Sequence, residues 1–214
     1  MGEANTGREA AGCAAAVCAA RGTRAAVLVE GLSDRAAVLT IASRIGQDLD
    51  AGRVAVVPMG GATNIGHFAS ALGPAGSGLR LAGLCDEAEE NDFRRGLLRA
   101  GLAPGAGRDG LERLGFHVCV ADLEDEMIRA LGCAAVTEVI EAEGELRSLR
   151  RFQRMPAQRG RATDAQLRRF LGTRSGRKVR YGAALVNALD LAHLPYPVAG
   201  LLADLPALSL RIPH

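Results

Sequence analysis

The sequence is poor in aromatic residues. Its 214 residues include no tryptophan, and aromatic residues account for only 3% of the chain. Proteins that bind single-stranded nucleic acids by stacking bases on aromatic side chains need such residues, so this class is disfavoured. Leucine, valine, isoleucine and alanine must therefore form most of the core. With 48% hydrophobic and 23% charged residues, the composition suits one globular domain with a modest appendage.

Long hydrophobic segments are also missing. No apolar run approaches the roughly 20 residues that a helix needs to cross a bilayer. Residues 10–20 are rich in alanine, but they follow Glu3 and Glu9 and lack leucine and isoleucine. We therefore interpret this segment as part of a docked N-terminal helix rather than as a secretory signal.

The cysteines do not form a zinc-binding pattern. Their number is odd, no two are spaced as in CxxC, and none has a neighbouring histidine at the spacing of a zinc site. We expect reduced, mostly buried thiols and hence a cytoplasmic protein. The five residues are Cys13, Cys18, Cys85, Cys119 and Cys133.

Four short apolar runs alternate with helical segments in the first part of the chain. The runs cover residues 25–29, 53–58, 79–85 and 115–120. Apolar runs without polar alternation are typical of strands that are buried on both faces of a parallel sheet. Their spacing predicts βαβ units with right-handed crossovers. We therefore predict an α/β core with a four-stranded parallel sheet flanked by helices.

The later part of the chain predicts helices only. We expect helices over residues 134–142, 145–154, 164–171 and 179–192, after which Pro195 and Pro197 interrupt the pattern before a short apolar tail. The predicted organisation is an N-terminal helix (1–24), an α/β core (25–132) and an arginine-rich helical extension (133–214).

Acidic residues follow three of the four predicted strands. Glu30 comes after the first strand, Asp86 after the third and Asp122 after the fourth. Because the carboxyl ends of parallel strands meet at one edge of a sheet, these side chains should share a crevice with the nearby Asp34. Carboxylates that converge in this way favour Mg²⁺ or Mn²⁺. The alternative is that each acid only caps the helix that follows it.

Basic residues are distributed unevenly. Lys178 is the only lysine among the 26 basic residues, which suggests a need for a compact ammonium group. The segment from Arg147 to Arg180 contains twelve basic residues and a single acid, Asp164. A basic helical region beside an acidic crevice is typical of proteins that hold a phosphodiester close to metal ions, although part of this run could be an ordinary solvated face.

Several motifs resemble one known family. The segment VEGLSD at residues 29–34, together with Asp86, resembles the Toprim domain of topoisomerases, bacterial primases and several nucleases. Residues 115–132, residues 166–170 and the Arg177-Lys178 pair are similar to the Toprim-like domain of the OLD (overcoming lysogenization defect) family. The resemblance covers most of the chain, from about residue 25 to residue 191, and implies a Toprim-like, Rossmann-like fold.

The resemblance also implies a set of functional residues. Divalent metal ions would be bound by Glu30, Asp34, Asp86 and Asp122. Lys178 would assist phosphodiester cleavage, and Glu89 or Glu124 would complete the shell of a second ion. Many Toprim domains have Asp-x-Asp after the third strand, whereas Ala88 occupies the second acidic position here.

From these features we predict a metal-dependent endonuclease that hydrolyses DNA with two Mg²⁺ or Mn²⁺ ions. Glu30 would bind metal or act as a general acid or base, and Lys178 would neutralise charge at the leaving oxygen. The DNA backbone would be held by Arg168, Arg169, Arg174, Arg177 and Arg180. Binding of this kind depends strongly on salt and only weakly on base sequence.

OLD nucleases usually carry an ABC-type ATPase before the Toprim part, but this sequence has no GxxxxGK[ST] motif. The resemblance therefore implies the nuclease part alone, acting by itself or with a separately encoded ATPase. The other candidate partners are DNA and a second copy of the chain.

Two alternatives stay open at this stage. The chain could be a non-catalytic Toprim module that binds DNA or partners an ATPase, an interpretation that Ala88 favours. It could also be a receiver-like phosphoacceptor domain, but that class needs adjacent acids after the first strand and a lysine after a fifth strand. A smaller question concerns Gly60-Gly61, which could cradle a phosphate or simply form a tight turn.

Overall fold

A fully parallel four-stranded sheet forms the centre of the protein. In the computed structural model the described residues are 2–105, 107–173 and 175–209. The strands are β1 (Ala25–Val29), β2 (Val54–Pro58), β3 (Arg80–Asp86) and β4 (Phe116–Cys119). Their order in the sheet is β2-β1-β3-β4. The predicted fold class, including all four strands, is confirmed.

Ten α-helices of the described chain surround this sheet. They are α1 (Gly2–Ala20), α2 (Leu32–Arg44), α3 (Ile65–Leu72), α4 (Glu90–Arg99), α5 (Gly107–Glu112), α6 (Leu123–Ala142), α7 (Leu146–Gln153), α8 (Thr163–Leu171), α9 (Ser175–Ala188) and α10 (Tyr196–Ser209). The helix α6 continues across residue 132, where we placed the boundary of the α/β core, and it kinks at Gly132.

Each face of the sheet has its own hydrophobic core. All five residues of β1 are completely buried. Ala26 and Leu28 belong to the cluster that includes residues of α1, α3 and α4, whereas Val27 and Val29 belong to the cluster that includes residues of α2, α6, α9 and α10. Because successive side chains of a strand point to opposite faces, a strand covered on both sides has no polar position. This explains the uninterrupted apolar run.

The C-terminal segment differs from its prediction. A helix, α10, occupies the region that we predicted as an interrupted apolar tail, and it contacts β3 and β4. Pro197 is the second residue of this helix, and proline is compatible with the first helical turn because no backbone N–H is needed there. The buried residues of α10 are Val198, Leu201, Leu202 and Leu205.

Only one face of α4 reaches the core. Phe93 and Leu97 are completely buried, whereas Leu98 is 65% exposed. The residues at i and i+4 lie on the same face of a helix, whereas the adjacent residue is rotated by about 100° away from it.

The packing of α9 on α2 brings the late part of the chain back to the sheet. These two helices make the most extensive helix–helix contact of the described chain. At its closest point Gly182 faces the backbone of Ser33, and a Cβ atom at Gly182 would lie 2.6 Å from the Ser33 carbonyl oxygen. Only glycine permits this approach, which places Lys178 beside the carboxyl ends of the strands.

Candidate metal centre

Three acidic side chains meet at the carboxyl ends of β1 and β3. Glu30 follows β1, Asp86 is the last residue of β3, and Glu89 lies in the turn before α4. One carboxylate oxygen from each of them lies within 4.8 Å of the other two, and all three side chains are partly buried. Neighbouring strands β1 and β3 end side by side, so the arrangement follows directly from the sheet topology.

The electrostatic environment of this cluster disfavours full ionisation. Burial, followed by the nearby carboxylates of Glu30, Asp122, Glu89 and Asp34, raises the pKa of Asp86 to about 8. Burial and the proximity of Glu30 also raise the pKa of Glu89. A cation bound between these carboxylates would reduce the repulsion that raises their pKa values.

No basic side chain among the described residues forms an ion pair with Glu30, Asp86 or Glu89. The Oε2 atom of Glu89 is buried and has no hydrogen-bond partner. A buried oxygen without a hydrogen-bond partner carries a desolvation cost unless it binds a ligand. The donors are all carboxylate oxygens, which suit Mg²⁺ and Mn²⁺. The residues present therefore fit a divalent ion.

Asp34 has a structural role in the turn beside the cluster. It is the third residue of α2, and its Oδ2 accepts a hydrogen bond of 2.8 Å from the Gly31 N–H. This bond closes the turn that follows Glu30. Burial raises the pKa of Asp34, while the Gly31 N–H and the nearby Lys178 act in the opposite direction. The capping alternative therefore applies to Asp34, which nevertheless stays within electrostatic reach of Glu30.

The fourth strand contributes an acid that is already paired. Asp122 is the N-cap of α6, and its Oδ1 accepts from the Asp125 N–H at 2.8 Å. Its Oδ2 accepts from Arg168 of α8 at 2.8 Å. The preceding residue, Ala121, has a positive φ of 68°, which is an uncommon backbone conformation for a residue with a Cβ atom. Asp122 thus has a capping hydrogen bond and a counter-ion. Its negative charge contributes to the raised pKa of Asp86.

A second ion pair joins α6 to α9. The Nζ atom of Lys178 lies 3.2 Å from Oε2 of Glu124, which is buried. The other oxygen of Glu124, Oε1, is buried without a hydrogen-bond partner. Burial raises the pKa of Glu124, and Lys178 opposes this effect. Partial burial acts to lower the pKa of Lys178, but Glu124, Asp34 and Asp122 hold it above its usual value, so the ammonium group stays protonated near neutral pH.

Apart from Asp34, which is bonded to the Gly31 N–H, the acids predicted as metal ligands divide into two groups. Glu30, Asp86 and Glu89 form a cluster without counter-ions among the described residues, and of the two residues proposed for the second ion Glu89 belongs to it. Asp122 and Glu124 are paired with Arg168 and Lys178 and line an adjacent cavity of about 530 Å³. The remaining lining residues of this cavity include Arg161 and Arg169.

The arginines predicted to contact DNA occupy different environments. Arg168 and Arg169 are exposed at the cavity. Arg180 is partly exposed and paired with Glu143 and Glu145. Arg174 lies outside the described residues.

The expectation for Arg177 has to be corrected. Its side chain is buried, its guanidinium donates to Glu145 at 2.6 Å, and it stacks on the ring of Phe170. A charge that is satisfied inside the fold in this way supports the packing of α9 against α8. It does not offer a surface to nucleic acid.

The two glycines after β2 form a tight turn, the second of the two alternatives given for them. The N–H groups of Gly60 and Gly61 both donate to the backbone carbonyl of Glu30, at 2.9 and 3.2 Å. Both glycines have positive φ values, which glycine adopts without steric cost. They therefore form a tight turn that fixes the backbone of Glu30, and these N–H groups are not directed at a phosphate. A double glycine at the end of the strand beside β1 is the signal that points to this role.

The receiver-like alternative does not fit the topology. It requires a lysine after a fifth strand, whereas the described chain contains four strands and Lys178 lies on α9. None of the described helices has the length and the apolar character that a membrane span requires.

Comparison with known proteins agrees with this architecture. Residues 23–86 match the family model described as overcoming lysogenization defect protein-like, TOPRIM domain. The C-terminal region of the OLD protein of Burkholderia pseudomallei superposes with a TM-score of 0.66 at 21% identity, covering 88% of this chain and 99% of that one. The C-terminal region of the Xanthomonas campestris pv. campestris OLD protein gives a TM-score of 0.66 at 24% identity, covering 87% of this chain and 97% of that one. No curated protein matches the sequence.

The matched segment, residues 23–86, contains β1 to β3 with Glu30, Asp34 and Asp86. The structural match extends over most of the chain, including the helical part. Residues 23–86 are therefore similar to an OLD-like Toprim domain, and the chain has the fold of the C-terminal region of OLD proteins.

Proposed function

We propose that this protein is a divalent-metal-dependent nuclease that hydrolyses phosphodiester bonds of DNA. The observation that carries the proposal is the cluster of Glu30, Asp86 and Glu89, three carboxylates without counter-ions beside a cavity that holds Arg168 and Lys178. Acids that attract a metal ion and cations that attract a phosphate are both needed to hold a phosphodiester for hydrolysis. The OLD-like Toprim domain supports this reading.

The metal ligands in this proposal are Glu30, Asp86 and Glu89. An ion bound there would supply Lewis acidity and lower the pKa of a coordinated water. Asp34 positions the backbone at Gly31 through its hydrogen bond and thereby orients Glu30. The Gly60 and Gly61 N–H groups hold the same segment from the side of β2.

In this proposal Lys178 and Arg168, the cations of the cavity, bind the phosphate. Lys178 is protonated because its carboxylate neighbours keep its pKa above the usual value, so it is suited to neutralise charge or donate a proton at the leaving oxygen rather than to act as a base. Arg168 has a planar guanidinium that can form two hydrogen bonds to a phosphate. In the structure Arg168 pairs with Asp122, the N-cap of α6, and Lys178 pairs with Glu124 of α6.

We place one ion in the cluster and treat a second as a further expectation. Asp122 and Glu124 already have Arg168 and Lys178 as counter-ions. A second ion at these acids would have to displace both cations, although the orphaned Oε1 of Glu124 offers one free ligand atom.

The pairing of Asp122 and Glu124 with basic side chains, together with Ala88, favours a second candidate function. This is a Toprim module that binds DNA without cleaving it.

Cleavage of supercoiled plasmid tests the proposal. We expect wild-type protein to nick or linearise plasmid with Mg²⁺ or Mn²⁺ and to lose this activity in EDTA. Glu30→Gln and Lys178→Met should each reduce the rate at least about 100-fold, as is typical when a metal ligand or a group that stabilises a transition state is lost. Asp50→Asn, at an exposed acid distant from the cluster, is the matched control and should retain full activity.

Equal activity of all variants would place the chemistry elsewhere and overturn the proposal. If wild-type protein retards plasmid on a gel but does not cleave it with either metal, the non-catalytic module is the better description.

A further inference from the structure

The outer face of α7 carries a row of arginines that no part of the candidate metal centre uses. Arg147, Arg150, Arg151 and Arg154, the last of which is the C-cap residue of α7, are all exposed. Their spacing of i, i+3, i+4 and i+7 places them within about 100° around the helix axis. Leu149, on the opposite side, is completely buried. We call these four residues the α7 arginine row.

The positive charge of this row is not neutralised inside the protein. Among the described residues no carboxylate lies within ion-pair distance of any of the four guanidinium groups. Arg150 donates only to the neutral side chain of Gln153. Like charges at i,i+3 and i,i+4 repel each other. A helix face that keeps four such charges together is suited to an external polyanion.

Contacts between α7 and α8 connect this row to the metal centre. Gln153, the last residue of α7, donates to Gln166 of α8 at 3.1 Å. Two residues after Gln166, Arg168 bonds Asp122. Arg159 and Arg161, in the segment between the two helices, are also exposed. Positive charge therefore runs from the cavity along α8 to the outer face of α7.

We propose that the α7 arginine row is a second contact surface for the phosphate backbone of duplex DNA, outside the metal centre. The inference rests on the proposed function, since it extends the path of the same substrate. The row is about 10 Å long at 1.5 Å per residue. That length corresponds to about three base pairs at 3.4 Å per phosphate on one strand. Three or four phosphate contacts are therefore expected.

The surface suits a nucleic acid better than an acidic protein. Protein interfaces have an apolar centre that becomes buried, whereas surfaces that contact DNA are polar and strongly positive. Among the described residues adjacent to the row in sequence, Met155 is the one large hydrophobic residue that is exposed. Arginine also fits phosphate by paired hydrogen bonds.

The test compares two variants that lose the same charge. In the first, Arg147, Arg150, Arg151 and Arg154 are all changed to Gln. In the matched control, the exposed arginines Arg8, Arg21, Arg95 and Arg99 near α1 and α4, which cover the other face of the sheet, are changed to Gln. Removing four positive charges takes the formal net charge from +2 to −2 in both proteins. None of the eight side chains is buried, so both variants should fold.

Binding of a fluorescein-labelled 30-base-pair duplex is measured by anisotropy in EDTA over a series of KCl concentrations. Each lost phosphate contact lowers the slope of log K against log salt by about 0.9. We expect the α7 variant to bind about 100-fold more weakly at 0.1 M salt, with a slope smaller by about 3. The control should stay within a few-fold of wild type.

Other outcomes overturn the inference in identifiable ways. Equal losses in both variants would show a general effect of net charge, and unchanged binding by the α7 variant or no binding by wild type would remove α7 from the DNA path.

The plasmid assay distinguishes failure of this inference from failure of the proposed function. Loss of binding in the α7 variant without any cleavage by wild type would sustain this surface and reject the nuclease. Cleavage by wild type together with full binding by the α7 variant would support the nuclease and reject this surface.

Discussion

Asp86 should make the stability of this protein fall as pH rises. Burial and the surrounding carboxylates raise its pKa from the ordinary 3.8 to about 8. Between these two values the folded protein holds a proton that the unfolded chain has released. Because the folded state then binds more protons, the free energy of unfolding decreases with increasing pH throughout this window. The penalty is absent below about pH 4 and complete above about pH 8.

The size of the effect follows from the shift. At 1.36 kcal/mol per unit, the difference between 3.8 and about 8 corresponds to at most about 6 kcal/mol. Solvent reaches part of the Asp86 side chain, and screening reduces this ceiling. We expect about 2–3 kcal/mol, which corresponds to about 5–10 °C in melting temperature for a chain of this length.

Replacing Asp86 with Asn isolates this contribution because asparagine resembles the protonated acid and does not ionise. In EDTA the variant and wild type should melt at nearly the same temperature at pH 4.5. At pH 8.5 the variant should melt about 5–10 °C higher. Mg²⁺ at pH 8.5 should raise the melting temperature of wild type, because ligands that bind only the folded state stabilise it, and should have little effect on the variant.

The control for this experiment is Asp50→Asn, which removes an exposed acid outside the cluster. It should show the same difference from wild type at both pH values. Asp86 is not the source of the pH dependence if Asp86→Asn melts at or below the wild-type temperature at pH 8.5, or if its difference from wild type does not change with pH.

Two further substitutions probe how the late helices are attached to the core. Lys178→Met leaves the buried Glu124 without its cation, and urea unfolding at pH 7 should show a loss of about 1–2 kcal/mol once the exposure of the lysine is allowed for. Adding Glu124→Gln should recover most of this loss, and no recovery would mean that the pair is not the cause. Gly182→Ala places a Cβ atom 2.6 Å from the Ser33 carbonyl oxygen and should cost about 1–3 kcal/mol. Gly176→Ala on the same helix has open space and should be neutral or slightly stabilising, so equal losses at both glycines would contradict the close approach.

The sheet and the position of its acids could be predicted from the sequence because both depend on local pattern. A strand buried on both faces has few polar positions, so β1 to β4 are visible as largely apolar runs. Once the strands are parallel, residues at their carboxyl ends must converge. Glu30 and Asp86 therefore meet without any knowledge of the helices.

The charge balance of the site was beyond the sequence because it depends on contacts between distant segments. Asp122 pairs with Arg168, which lies 46 residues later, and that pairing requires α8 to pack on α6. Arg177 and Lys178 are adjacent, yet one is buried against Phe170 and the other reaches Glu124. Neighbouring positions on a helix point in different directions, so a run of basic residues does not show which of them is free.

The late helices contribute to the candidate metal centre as well as to the core. Tyr181 and Leu185 of α9 belong to the same hydrophobic cluster as Val27 and Val29 of β1. Lys178 lies on the same helix, one turn before Tyr181, so the packing that buries the apolar face of α9 also brings the ammonium group to Glu124. A change that loosens α9 should therefore disturb the cationic side of the centre while leaving Glu30, Asp86 and Glu89 on their strand ends. Gly182→Ala is such a change, and by this reasoning it would impair the positioning of Lys178 more than the binding of a metal ion.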